Sequence, residues 1–520
     1  MWGGDLARVA AAAAALIMLA APAQALAEDV ERRDERLYSF DGTRILTHFF
    51  PAPEAARDAD GKAPTVMLGH GWAGSGATGV DEDLTGGLSD EVGGVGLADL
   101  LDAGYNVVTW DSRGFGRSSG RAQVASPEYE GRDAQMIIDW IATQGEAELD
   151  AAGDPRLGMT GASYGGGIQL VTAAIDQRVD VITPTIAWHD LENALIPEGD
   201  FRLSWASLLL GGGLVAGSLA PEMTAAYDAT WRSGRVRQQD YDWFFARGPK
   251  ALVANITAPT LITQGTVDTL FTLRDGIKNY EMLAAAGTPV RMVWFCGGHG
   301  ACNAAPGPKG QVAQATMDWL GRWLRDRKDV DTGAPFTWLA DDGRWRDAQS
   351  WPPAPGTPLR AEGQGRLPLR IGFSSGAVIA ATPAQGGLRV PIATPAAADV
   401  VGAPQLTLRY RGTAWPRRDT HVFAQVVRRR ASGAGQVIGN QASPVPVLLD
   451  GRERSVTVAL EPIAARVEPG DQLELQIVDG STLFDAQRTI GALTAKVAVE
   501  LPTAAAARSV PAGDPAPAGP

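Results

Sequence analysis

Cysteine and histidine are scarce: 520 residues carry two of the first and five of the second. A structural zinc site takes four close-spaced Cys or His ligands. Cys296, Cys302 and the one histidine between them fall short of that set, and no second cluster exists, so no bound metal is expected. Positive charge is in deficit, with 46 Lys and Arg against 59 Asp and Glu and a net charge of −13. That is the wrong sign for a nucleic-acid partner. Beyond the N-terminus no apolar run reaches the length that crosses a bilayer.

The N-terminus does carry an apolar run, Val9 to Ala21, preceded by Arg8 and followed by Ala25-Leu26-Ala27 before Glu28. This is the pattern of a signal peptide cleaved after residue 27, and no cysteine near the cut suggests a lipid anchor. A secreted or periplasmic protein, with no stable membrane insertion after cleavage, is the expectation. In an oxidising compartment Cys296 and Cys302 could close a small loop, contributing about 2 kcal/mol. Two free thiols are the alternative.

At this length a single core is not expected. Between Trp351 and Ala504, 16 Lys and Arg outnumber 12 Asp and Glu, whereas the residues before are strongly acidic. After a hairpin pattern at Leu37 to Phe50 with an Asp41-Gly42 turn, short apolar runs at Thr65–Gly69, Asn106–Trp110, Arg156–Thr160, Asp180–Trp188, Thr260–Gly265 and Arg291–Phe295 alternate with helical patterns. Such runs read as parallel strands covered on both faces. The alternation breaks at residues 190–250, which read as a helical insertion over the carboxyl end of the sheet. Past Asp329 the pattern becomes short alternating runs, from Phe336–Leu339 to Gln472–Val478, the mark of a β-sandwich or jelly roll. The expected layout is a catalytic domain over 28–328 with its cap at 190–250, a β domain over 329–504, and a disordered tail over 505–520.

The run Gly161-Ala162-Ser163-Tyr164-Gly165-Gly166 places a serine between glycines, after a strand and before a helix. A nucleophile elbow needs that order, because the turn is too tight for large flanking side chains. Serine needs a base to activate it and a third group to orient the base. Of His48, His70, His189, His299 and His421, only His299, in a Gly-Gly-His-Gly loop after a strand, satisfies the order nucleophile, acid, histidine that such a scaffold uses. Asp268, just past the preceding strand, supplies the acid, with Asp275 as fallback. For the developing oxyanion, the N–H of Tyr164 and that of Trp72, in the loop Gly69 to Ser75, are the candidate donors. His70 reads as structural, and Arg113 as part of a scaffold turn bonding nearby carbonyls.

Together these elements resemble the α/β-hydrolase superfamily, and more narrowly the X-prolyl dipeptidyl peptidases and cocaine-esterase-like acyl esterases. The resemblance rests on Phe40-Asp41-Gly42-Thr43-Arg44, the elbow, the insertion before Asp268, and a β domain reached through Gly343-Arg344-Trp345-Arg346 and Trp351-Pro352-Pro353. It implies an α/β-hydrolase domain with a helical cap and a C-terminal jelly roll. It also implies a Ser163-Asp268-His299 triad and no cofactor. Cocaine-esterase-like members often take an oxyanion donor from a tyrosine hydroxyl in the early loop; Trp72 stands here instead, which favours two backbone donors. The expected activity is cleavage of carboxylic esters through an acyl-enzyme on Ser163. Release of X-Pro dipeptides is the second reading and would need an acidic anchor for a free amine, for which Glu192, Glu198 and Asp200 are candidates. A remoter alternative is polymer or carbohydrate binding by aromatics such as Tyr410 and Trp415.

Overall fold

The computed structural model describes residues 31–80, 94–429, 435–505 and 508–509. The expected signal peptide, 1–27, lies outside them. The main body is an eleven-stranded sheet. Its strands in chain order are β1 (Arg33–Tyr38), β2 (Arg44–Phe50), β3 (Thr65–Gly69), β4 (Asn106–Trp110), β5 (Leu157–Ala162), β6 (Val179–Thr185), β7 (Thr260–Gly265), β8 (Val290–Phe295), β9 (Phe336–Leu339) and β10 (Trp345–Ala348), with Arg508–Ser509 at the far edge. Across the sheet they run β1-β2-β4-β3-β5-β6-β7-β8-β9-β10. From β4 to β9 all pairings are parallel.

The continuous apolar character of these strands has a direct cause. Along β3, Met67 enters one buried cluster while Val66 and Leu68 enter the other. Helices α2 (Glu130–Ile141), α3 (Tyr164–Ile175) and α8 (Leu273–Ala286) cover the first face, and α1 (Leu97–Asp102) and α9 (Gln311–Leu324) the second. Between β6 and β7 lies the insertion, made of α4 (Leu191–Leu195), α5 (Leu203–Ala216), α6 (Pro221–Ser233) and α7 (Gln238–Phe245).

The C-terminal unit packs two antiparallel sheets face to face. One joins Leu359–Leu369, Ile490–Leu501, Gln405–Trp415 and Asp450–Ala459; the other centres on Leu388–Ile392, Gln472–Val478 and Asp419–Arg429. Leu406, Leu408 and Val497 from the first meet Val390, Val422 and Leu475 from the second in one core. Tyr410 belongs to that core, 5% exposed, and its hydroxyl accepts the Leu448 N–H. Trp415 stands exposed at the strand's end.

Two boundaries differ from expectation. Phe336–Leu339 does not open the β domain at 329 but extends the large sheet, pairing parallel with β8 at Met292↔Phe336. Four fully buried residues are too few to reveal their sheet by periodicity. Arg508 and Ser509, in the expected disordered tail, pair with Asp347 and Arg346.

Strand β3 and helix α3 approach each other closely. A Cβ built on Gly165 would lie 2.2 Å from the Gly69 carbonyl oxygen, and one on Gly161 2.5 Å from the same atom. Gly165→Ala should cost about 3 kcal/mol in urea unfolding, as overpacking against rigid backbone does. Gly145→Ala, with nothing within 4 Å of the new methyl, should stay within about 0.5 kcal/mol.

Candidate active site

Ser163 sits where β5 turns into α3. Its backbone has φ 57° and ψ −114°, a strained conformation for a residue with a side chain, and its N–H is pinned to the Thr185 carbonyl at 2.9 Å. The close backbone packing at Gly161 and Gly165 forces the turn to be this sharp, which lifts the hydroxyl off the sheet.

The Oγ of Ser163 lies 2.7 Å from Nε2 of His299, and Nδ1 of His299 lies 2.7 Å from Oδ2 of Asp268. Asp268 is wholly buried. Its second oxygen accepts the N–H groups of Leu270 and Phe271, each at 2.9 Å, so its free lone pairs can only face the imidazole. This places a proton on Nδ1 and leaves Nε2 free to accept from serine. The other histidines are engaged elsewhere: His48 with Asp34, His189 with Asn279, and His421 with the Glu198 carbonyl. His70, fully buried, bonds the Gly71 carbonyl through Nδ1 and accepts the Ser112 N–H at Nε2. Burial holds its pKa below the ordinary value, so it is a neutral brace under the loop that carries Trp72.

That loop is a turn closed by Gly74 N–H on the Gly71 carbonyl, with Ala73 at φ 64°. The Trp72 N–H takes no part in the turn bond. Tyr164 is the first residue of α3, whose earliest bonds run from Gly166 and Gly167 to the Ser163 carbonyl. Its N–H precedes that ladder, as first-turn amides do. The Tyr164 hydroxyl reaches back to the buried Glu130 at 3.2 Å. Burial pushes the Glu130 carboxyl up to about 7, against the pull of the Gln123 and Ser126 N–H groups.

Aromatic rings frame the serine and histidine. Trp72 packs edge-on to Tyr164 at 5.2 Å, and Trp205 and Phe271 stand edge-on to His299 at 5.6 and 5.1 Å. Indole N–H groups tie the frame together: Trp72 Nε1 donates to the Leu209 carbonyl of α5, and Trp205 Nε1 to Thr269 Oγ1. No sequence pattern singled out Trp205, because large side chains fill the whole insertion, or Phe271, which lies in the loop after Asp268.

Other expectations need revision. Arg113 bonds carboxylates rather than carbonyls: Asp133 through two nitrogens at 2.7 Å and Asp41 at 2.9 Å. Asp275 takes no part in the triad and accepts the His189 N–H instead. Of the three candidate amine anchors, Glu192 is paired with Lys250, Asp200 faces His421 at 3.9 Å, and Glu198 is exposed. Cys296 and Cys302 form a disulfide that closes the loop holding His299. Among the described residues no group of three or more His, Cys, Asp or Glu could hold a metal ion, and no helix is long and apolar enough to cross a membrane.

Residues 41–301 match the sequence pattern of the X-Pro dipeptidyl-peptidase (S15) family. The chain belongs to that family. Its fold is similar to that of a CocE/NonD family hydrolase from Staphylococcus aureus, with TM-score 0.68 and 15% identity over 91% of this chain and 93% of that one. It is also similar to an α-amino acid ester hydrolase, with TM-score 0.66 and 13% identity over 94% and 99% of the two chains. An aminopeptidase from a marine sediment archaeon, Thaumarchaeota archaeon, gives TM-score 0.65 at 13% identity over 92% and 97%. An uncharacterised 31.7 kDa protein of the traX-finO intergenic region of Escherichia coli is 35% identical over 91 residues, 18% of this chain and 30% of that protein. The chain thus spans under a third of the curated relatives it matches.

The Asp275 carboxyl, pushed from the ordinary 3.8 up to about 7 mainly by burial, makes stability depend on pH. The folded state holds this proton more tightly than the unfolded state, so the contribution is full below about pH 4 and is lost as pH rises towards 7. Asp275→Asn should therefore flatten the fall in Tm between about pH 4 and 7, measured by calorimetry. An unchanged slope would contradict this assignment.

Proposed function

We propose that the chain is an exported esterase that cleaves carboxylic esters through an acyl-enzyme on Ser163. The observation that carries the reading is the relay of two 2.7 Å contacts, Ser163 to His299 and His299 to Asp268, beneath an elbow of strained backbone. As Ser163 Oγ attacks the acyl carbon, His299 Nε2 takes its proton and the buried Asp268 carboxylate stabilises the imidazolium. The N–H groups of Tyr164 and Trp72 receive the oxyanion. Collapse expels the alcohol, which leaves with the proton from His299; water then repeats the sequence and frees the acid.

An ester is favoured over an X-Pro peptide because the dipeptidyl reading needs a carboxylate for the free amine. Glu192 and Asp200 already face cations or a histidine, and Glu198 points to solvent in a turn at φ 53°. The rings of Trp72, Trp205 and Phe271 suit an apolar acyl group. The export reading rests on the Arg8 to Ala27 pattern.

Short-chain nitrophenyl esters should be hydrolysed efficiently and X-Pro-nitroanilides poorly. Ser163→Ala should lower ester kcat by roughly 10⁴-fold or more. Cleavage of the anilide alone would overturn the esterase reading, and full activity in Ser163→Ala would overturn the mechanism.

A further inference from the structure

The Asp268 and His299 loops leave adjacent strands, β7 and β8, which pair in register to Gly265↔Phe295, and the Thr266 N–H bonds the Phe295 carbonyl where the loops begin. One short turn of the C-terminal unit touches both. From Gln436 to Gln441 the chain leaves a strand, makes a single turn of 3₁₀ helix at Ile438–Asn440, and then continues in the same direction along Asp419–Arg429 as Ser443–Leu448. Gln441, 4% exposed, donates from Nε2 to the main-chain carbonyl of Asp268 at 2.6 Å. Asn440, 6% exposed, donates from Nδ2 to the Ala301 carbonyl, two residues past His299, and accepts from Asn303 at 2.8 Å. Gln436 donates to the Asn303 carbonyl at 2.7 Å.

The turn is built at some cost. Asn440 sits at φ 57° and Gly439 at φ 66°, and a Cβ on Gly439 would come within 2.9 Å of the Thr266 carbonyl oxygen. The buried Oε1 of Gln441 has no hydrogen-bond partner. Strain and an unmatched polar atom in one buried turn persist only where the surroundings enforce them. The surroundings here are the two loops of the relay.

We propose that Gln436–Gln441 is a positioning element for catalysis, with Gln441 and Asn440 acting as a spacer that holds the acid and histidine loops at hydrogen-bonding distance. The inference rests on the esterase reading above. It makes the C-terminal β unit part of the catalytic apparatus. Gln441 and Asn440 touch no reacting atom and act through Asp268 and His299.

Gln441→Ala removes one arm of the spacer. Asn440→Gly removes the other while relieving the positive φ, so the two variants differ in their effect on the fold. Nitrophenyl-ester kinetics are measured per folded molecule, with the folded fraction fixed by circular dichroism. Each variant should lose about tenfold or more in kcat, the scale expected of small misplacements of reacting groups, with KM unchanged. Thr407→Ala, on the exposed Thr407–Thr457 pair of the same unit, should leave both constants as they are. Wild-type kcat per folded molecule in both variants, or a rise in KM alone, would overturn the proposal. Ser163→Ala runs alongside: activity surviving there would overturn the parent reading, whereas an inactive Ser163→Ala beside fully active spacer variants would overturn only this one.

Discussion

A carboxylate removed from water must have its charge met by donors, and Asp268 is wholly buried. Two backbone N–H groups of its own loop satisfy one oxygen and the His299 imidazole satisfies the other. The rest of the structure can be understood as holding those partners still. Thr269, next in the chain, is bonded from three directions: its carbonyl accepts Arg202 of the insertion, its hydroxyl accepts Trp205, and that hydroxyl donates to Ile379 of the β unit. Thr272 closes the loop on Glu461, again from the β unit.

The insertion and the β unit therefore meet over the acid loop. Arg202, fully buried, bonds Ala194 and Thr269 and lies 3.7 Å from Glu461, which also pairs with Arg274. Burial alone would disfavour the Arg202 charge, and Glu461 is what opposes that penalty. Buried charges matched across two units in this way link their packing to the geometry of the site.

The candidate triad is more legible in the sequence than the contacts that hold it. The order strand, Gly161-Ala162-Ser163-Tyr164-Gly165, helix is a local pattern, and the position of His299 after Asp268 in the chain is a topological one, so both could be read directly. Strand β9 cannot be placed in its sheet from the sequence, because its four residues are all buried and carry no period. The partners of Arg113 are not legible in the sequence, because Asp41 and Asp133 come from other parts of the chain. Gln441 was invisible for the same reason: it meets Asp268 across 173 residues, and neither its composition nor its neighbours mark it. Contacts of that range belong to the folded state, where a local periodicity cannot reach them.

The most direct test of the account is the site of covalent capture. The protein is treated with a fluorophosphonate, digested, and the adduct located by mass spectrometry. Modification of Ser163, abolished in His299→Ala, is the expected result; an adduct on any other residue would contradict the assignment of the nucleophile.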